Sequence, residues 1–122
     1  GLVAFAYVVF HLLAWISIDM AFRWNQILPD LYKRPYILVG MAALVLLIPL
    51  AVTSNDRAIR WLGALRWNRL HKLAYLATIL GMIHFLMIGK VYTTEVLTYS
   101  AILTVLLGVR IWRNGPARLV WA

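Results

Sequence analysis

Cysteine is absent from the 122 residues, and only four are acidic. Without thiols there is no disulfide, no thiolate-held iron–sulfur cluster, no thiol nucleophile and no Cys-x-x-Cys-His site for covalent haem attachment. No Gly-x-Gly-x-x-Gly follows a strand pattern, and 122 residues leave no room for a nucleotide-binding domain. There is no His-Glu-x-x-His zinc motif. Thr53 and Ser54 have no base near them in the chain, which leaves serine hydrolase chemistry unsupported. Repeats and low-complexity tracts are also missing.

What is present is apolar. Hydrophobic residues make up 64% of the chain and charged residues 13%. A soluble domain this small has no interior large enough to hide that much apolar surface, so lipid is its natural solvent. The net charge is +8, from 12 Lys and Arg against the four acids. These cations fall between long apolar runs, where anionic headgroups explain them better than nucleic acid does.

A spanning helix needs roughly 20 largely apolar residues. Gly1–Ile18, Tyr36–Thr53 and Leu73–Gly89 carry no charge, and Val96–Val109 is a shorter fourth run that Arg110 can extend by snorkelling. The expected fold is all-α, a polytopic membrane bundle of about four helices at 1–21, 35–54, 66–90 and 94–113, forming one domain over 1–122. Pro29 and Pro35 bracket the first loop. Pro49 is expected to kink the end of the second helix. Thr53-Ser54-Asn55-Asp56 ends that helix and opens a short interfacial helix over Arg57–Leu65. Gly115-Pro116 is expected to end the last helix. The chain starts inside an apolar run without an initiator Met, so it reads as a fragment of a longer protein; Gly1–Ile18 lacks the basic flank of a signal peptide.

Charge placement sets an orientation. Eight cations lie on one side: Arg57, Arg60, Arg66, Arg69, Lys72, Arg110, Arg113 and Arg118. The other side has four, Arg23, Lys33, Arg34 and Lys90, together with Asp19, Asp30 and Glu95. The basic side is expected to be cytoplasmic. Trp15, Trp24, Trp61, Trp67, Tyr92 and Trp112 fall near the boundaries, as interfacial aromatics do.

The three histidines, His11, His71 and His84, all lie within or at the edge of spans. Ionisable residues there are costly and usually face the bundle interior to do work, although a neutral imidazole bonded to a carbonyl is the plain alternative. His11 lies eight residues before Asp19, and His84 six before Lys90, on helices that run the same way. Their depths match, so they can supply both axial nitrogens of one haem iron. His71 and His84 are 13 residues apart, which is roughly 20 Å along a helix and roughly 140° around it. His71 therefore sits near the inner face on a different flank. It can ligate a second haem with a partner outside this chain, serve a flavin or quinone site, or be structural. Phe5, Phe10, Trp15, Leu80, Met82 and Phe85 are candidates to line an outer haem slot. Arg66, Arg69 and Lys72 are candidates to hold propionates or a nucleotide phosphate, against the plainer reading of positive-inside charge.

Four stretches carry a family resemblance: His-Leu-Leu-Ala-Trp at 11–15; Lys33-Arg34-Pro35-Tyr36-Ile37 with Gly40; Pro49 to Ser54; and Trp67-Asn68-Arg69-Leu70-His71-Lys72-Leu73-Ala74-Tyr75-Leu76 with His84-Phe85. Together the chain resembles the MsrQ (YedZ) family of haem-binding membrane subunits. These belong to the ferric-reductase-like transmembrane group that also includes NADPH oxidases. The resemblance implies six helices in the whole protein, of which this chain supplies the central four. It implies one or two b-type haems, with His11, His71 and His84 matching the family's histidines. The wider group has two histidines on each of two helices, and the first helix here offers one. Flavin mononucleotide (FMN) is also implied, without assigned residues. The implied partner is MsrP, a periplasmic molybdopterin enzyme that reduces methionine sulfoxide. The implied donor is quinol or a cytoplasmic flavin reductase, and the implied location is the bacterial inner membrane. Substrate chemistry is expected on the partner. The competing readings are a ferric reductase or superoxide-producing oxidase domain, and a non-redox small transporter or structural subunit with buried histidines.

Overall fold

In lipid, an apolar run can satisfy its backbone polar groups only internally. In a computed structural model of the chain, residues 1–89 and 94–121 are described, the stretch 114–121 by its backbone alone, and every regular element among them is helical. The elements are α1 (Leu2–Ala14), continued by a π-helical turn (Trp15–Asp19), then α2 (Trp24–Lys33), α3 (Pro35–Val52), α4 (Asp56–Leu62), α5 (Ala64–His71), α6 (Leu73–Ile88) and α7 (Thr94–Trp121). Four stretches are long and apolar enough to cross a bilayer: Leu2–Asp19, Pro35–Val52, Ala64–Ile88 and Thr94–Arg113. The protein is an all-α, multi-pass membrane protein.

α3 is the central post. α6 packs along it most closely, and α1 and α2 lean on it from other sides. Small residues make the α3–α6 approach possible: Ala43 and Ala77 are buried, Leu50 is buried on the same α3 face as Ala43, seven residues on, and Ile37 is buried on another flank of α3. Most other large apolar side chains are exposed, among them Val3, Tyr7 and Val105, as a lipid-facing surface requires.

The joints follow local chemistry. α1 runs into the π turn, where the Met20 N–H reaches the Trp15 carbonyl at 3.0 Å. The chain then reverses through Ala21 and Phe22, at φ +46° and +56°. Left-handed backbone at non-glycine residues costs about 1–3 kcal/mol each, and the Arg23 Nε–H donates to the Met20 carbonyl at 3.1 Å across this bend. Pro35 opens α3, where its missing N–H costs nothing. Beside it, Arg34 donates to the Tyr36 hydroxyl at 3.0 Å and pairs with Asp30 at 3.2 Å. The Tyr36 hydroxyl first, then Asp30, raise the Arg34 pKa above its ordinary value.

Four expectations need correction. The first outer connection is not a plain loop: α2 fills it, with Pro29 inside the helix and Ile27 only 2% exposed against α3. Its apolar residues recur at helical spacing, and one buried anchor outweighs the single bond that Pro29 forfeits. The interfacial helix ends at Leu62, not Leu65, because Gly63 at φ +75° breaks it. Asn55 caps its start, accepting from the Ala58 N–H at 2.9 Å. Gly115-Pro116 does not end α7, whose backbone stays helical to Trp121; Pro116 removes one backbone bond, and the residues after it tolerate helix. Met82 does not line an outer slot facing α1, because its sulfur lies 4.0 Å from the Thr104 hydroxyl of α7. Lys90 and Tyr92 lie outside the described residues, as does the side chain of Arg118.

Candidate functional site: two histidine centres

α1 and α6 both lean on α3, and this brings His11 and His84 together. Their ring centroids are 6.2 Å apart and their planes meet at 80°. A metal–imidazole bond is about 2.0 Å, so two rings on opposite sides of one iron sit roughly 6 Å apart centre to centre. The observed separation fits that requirement. Among the described residues no three His, Asp or Glu side chains gather as a metal cluster; axial haem ligation needs only two nitrogens.

His84 is the better anchored of the two. Its Nδ1 lies 2.6 Å from the Tyr36 carbonyl oxygen. A carbonyl only accepts, so Nδ1 carries the proton and donates, which leaves the Nε2 lone pair free. The Tyr36 ring stands against the imidazole at 6.4 Å. His11 is exposed on α1, and His84 is half-buried. Of the apolar residues considered for an outer slot, Phe10 and Phe85 are exposed, at 71% and 41%.

His71 lies at the other end of the bundle, on a different flank. It stacks on Trp67 with centroids 3.8 Å apart and planes at 23°. The Trp67 Nε1–H donates to the Thr53 carbonyl at 2.8 Å. The Thr53 hydroxyl lies 2.6 Å from the Pro49 carbonyl and 3.0 Å from His71 Nε2. Its proton goes to the carbonyl, which can only accept, so the imidazole Nε2–H donates to Thr53. In this arrangement His71 offers iron no free Nε2.

His71 also borders a cavity of about 730 Å³ between α6 and α7, lined further by Ala74, Tyr75, Leu107, Arg110 and Arg113. That volume is within the range of small-molecule and cofactor sites, about 300–1,000 Å³. Arg110 rests 5.4 Å from the Tyr75 ring centre. Arg66 and Arg69 are exposed on α5 and do not border this cavity, whereas Lys72 borders a smaller one of about 250 Å³ beside it.

The structure therefore adds Tyr36, Thr53, Arg110 and Arg113 to the residues around the histidines, and also Gly40, where a Cβ would lie 2.7 Å from the His84 ring. The sequence signals for Gly40 were its place inside an uncharged spanning run, where small residues let helices approach, and its membership of the family-like stretch that starts at Lys33.

The model of the ferric reductase like transmembrane component family matches residues 1–82. The chain belongs to this family. Among its relatives, the protein-methionine-sulfoxide reductase heme-binding subunit MsrQ of Rhodospirillum rubrum is 50% identical over 111 residues, covering 91% of this chain and 53% of that protein. The subunit of the same name from Polaromonas naphthalenivorans is 50% identical over 116 residues, covering 93% and 53%. The magnetosome protein MamZ of Magnetospirillum gryphiswaldense is 42% identical over 117 residues, covering 94% of this chain and 18% of that longer protein. The chain thus spans about half the length of the MsrQ relatives. No solved structure matches it. Both histidine stretches of this ferric-reductase-like family member, apart from His84, fall within the matched residues.

Proposed function

We propose that this chain is the core of a transmembrane electron-transfer subunit holding b-type haem. It would carry electrons from quinol or a cytoplasmic flavin reductase to a periplasmic, MsrP-like molybdopterin enzyme that reduces methionine sulfoxide, and it would do so in a bacterial inner membrane. The observation that carries the reading is the His11–His84 pair, 6.2 Å apart on two spans with the His84 Nε2 free. Relatives named as haem-binding subunits of a protein-methionine-sulfoxide reductase support it.

Haem bound there supplies a one-electron carrier. His11 and His84 would hold the iron, and the apolar faces of α1 and α6 would keep water from it, which together with the identity of the ligands would tune the potential. The excess of cations at the His71 end supports a cytoplasmic location for that end. A second group would sit beside His71, with Arg110 and Arg113 facing its anionic edge, once His71 lets go of Thr53. FMN has no assigned residue in this chain.

The test is a reduced-minus-oxidised spectrum and a haem-to-protein ratio for the purified wild type, His11→Ala and His84→Ala. Both variants should lose the haem that this pair holds. Unchanged haem content in both would end the proposal.

A further inference from the structure

We infer that Gly40 is a positioning residue for the His84 ligand, its missing side chain opening the Tyr36 carbonyl to the His84 ring. The inference rests on the haem reading above and deepens it.

In an α-helix each Cβ leans toward the N-terminus, over the carbonyl one turn back. A side chain at position 40 would therefore stand beside the Tyr36 carbonyl, four residues earlier. On the α6 side, a Cβ at Gly40 would lie 2.7 Å from both Cε1 and Nδ1 of His84 and 3.2 Å from Nε2. Those contacts are with a rigid ring already held by its 2.6 Å bond to Tyr36, not with the loose end of a long side chain. An alanine at position 40 and this ring position are mutually exclusive. Gly81, on the same helix as His84, is different: a Cβ there meets nothing within 4 Å.

The consequence is chemical as well as steric. The Nδ1–H to carbonyl bond fixes which nitrogen is bare, holds the ring in one orientation, and makes the imidazole a stronger donor. Pushing the ring off this seat removes all three effects together. Alanine has the higher helix propensity, so at a position without such a role the same replacement would be neutral or mildly stabilising.

The experiment compares wild type, Gly40→Ala and Gly81→Ala, purified as the full-length protein, by haem titration and redox titration. Gly81→Ala should match wild type in both. Gly40→Ala should bind haem about 10–100-fold more weakly, the usual cost of losing such a supporting bond, and its residual haem should have a higher potential. Wild-type affinity and potential in Gly40→Ala would overturn the inference. Nitrogen NMR of the ¹⁵N-histidine-labelled wild type gives a second measurement that does not need the variant to fold. A slowly exchanging His84 Nδ1–H supports the seat, and a bare Nδ1 overturns it. A wild type without haem would instead end the haem reading, and the NMR result on the Tyr36 bond would still stand or fall by itself.

Discussion

His71 lies face to face with Trp67, ring centres 3.8 Å apart, while its Nε2–H donates to the Thr53 hydroxyl that ends α3. Trp67 reaches the same residue through its indole N–H, 2.8 Å from the Thr53 carbonyl. One threonine thus ties α5 to α3 by two bonds. Thr53→Val keeps the shape and removes the acceptor for His71. Leaving that donor unsatisfied is expected to cost about 1–3 kcal/mol, read as a lower unfolding temperature in detergent. The haem proposed for the His11–His84 pair should be unaffected, since the two centres sit on different flanks of the bundle.

The turn between α4 and α5 supports a prediction of opposite character. Gly63 adopts φ +75°, ψ +152° and has open space around it. A side chain there meets no neighbour, so its cost is backbone strain alone. Gly63→Ala is expected to destabilise by about 1–3 kcal/mol. Asn55→Ala removes the cap of α4 and is expected to cost about 1 kcal/mol. The two residues flank opposite ends of α4 and share no hydrogen bond among the described residues, so the double variant should show the sum of the two losses in thermal unfolding.

The spans were legible in the sequence because lipid demands long uncharged runs, and each of the four is found within a few residues of its expected bounds. The meeting of His11 and His84 was legible too, since equal depth on parallel helices follows from counting residues to the next charge. α2 was not legible. Pro29, Asp30 and the cations around them read as loop, and only the packing of Ile27 on α3 makes that segment a helix. Gly40 and Thr53 lacked a visible role for a related reason. Their partners lie 44 and 18 residues away in the chain, at His84 and His71. Periodicity shows which face of a helix is apolar. It does not show which carbonyl or hydroxyl on that face meets a particular ring.

The cavity between α6 and α7 permits a steric test of the second centre. Ala74 borders it beside His71, and Arg110 and Arg113 border it from α7. Ala74→Trp places a large ring inside the space and leaves all three histidines in the sequence. The variant is expected to lose whatever haem the wild type holds beyond one per chain. Its remaining haem should keep the spectrum of the His11–His84 pair. Loss of that pair's spectrum, with the other haem retained, would assign the cavity wrongly.

The planes of His11 and His84 meet at 80°, and this angle has a magnetic consequence. In a low-spin ferric haem each axial imidazole interacts through its π system with one of two iron d orbitals. Parallel rings act on the same orbital and split the pair; rings at right angles act on different ones and leave the pair nearly degenerate. Ligand orientation is one of the means by which a protein sets the electronic state of a haem. Electron paramagnetic resonance of the oxidised His71→Ala protein, in which the proposed His11–His84 haem would be the one left, should therefore give one strongly shifted low-field feature. A well-resolved rhombic three-line spectrum would mean parallel rings. Reaching that state would require His84 to turn about the bond from its Nδ1 to the Tyr36 carbonyl, or His11, which has no such tether among the described hydrogen bonds, to rotate on α1. His11 is the freer ring, so a rhombic spectrum would locate the rearrangement on α1 and leave the seat at Gly40 in place.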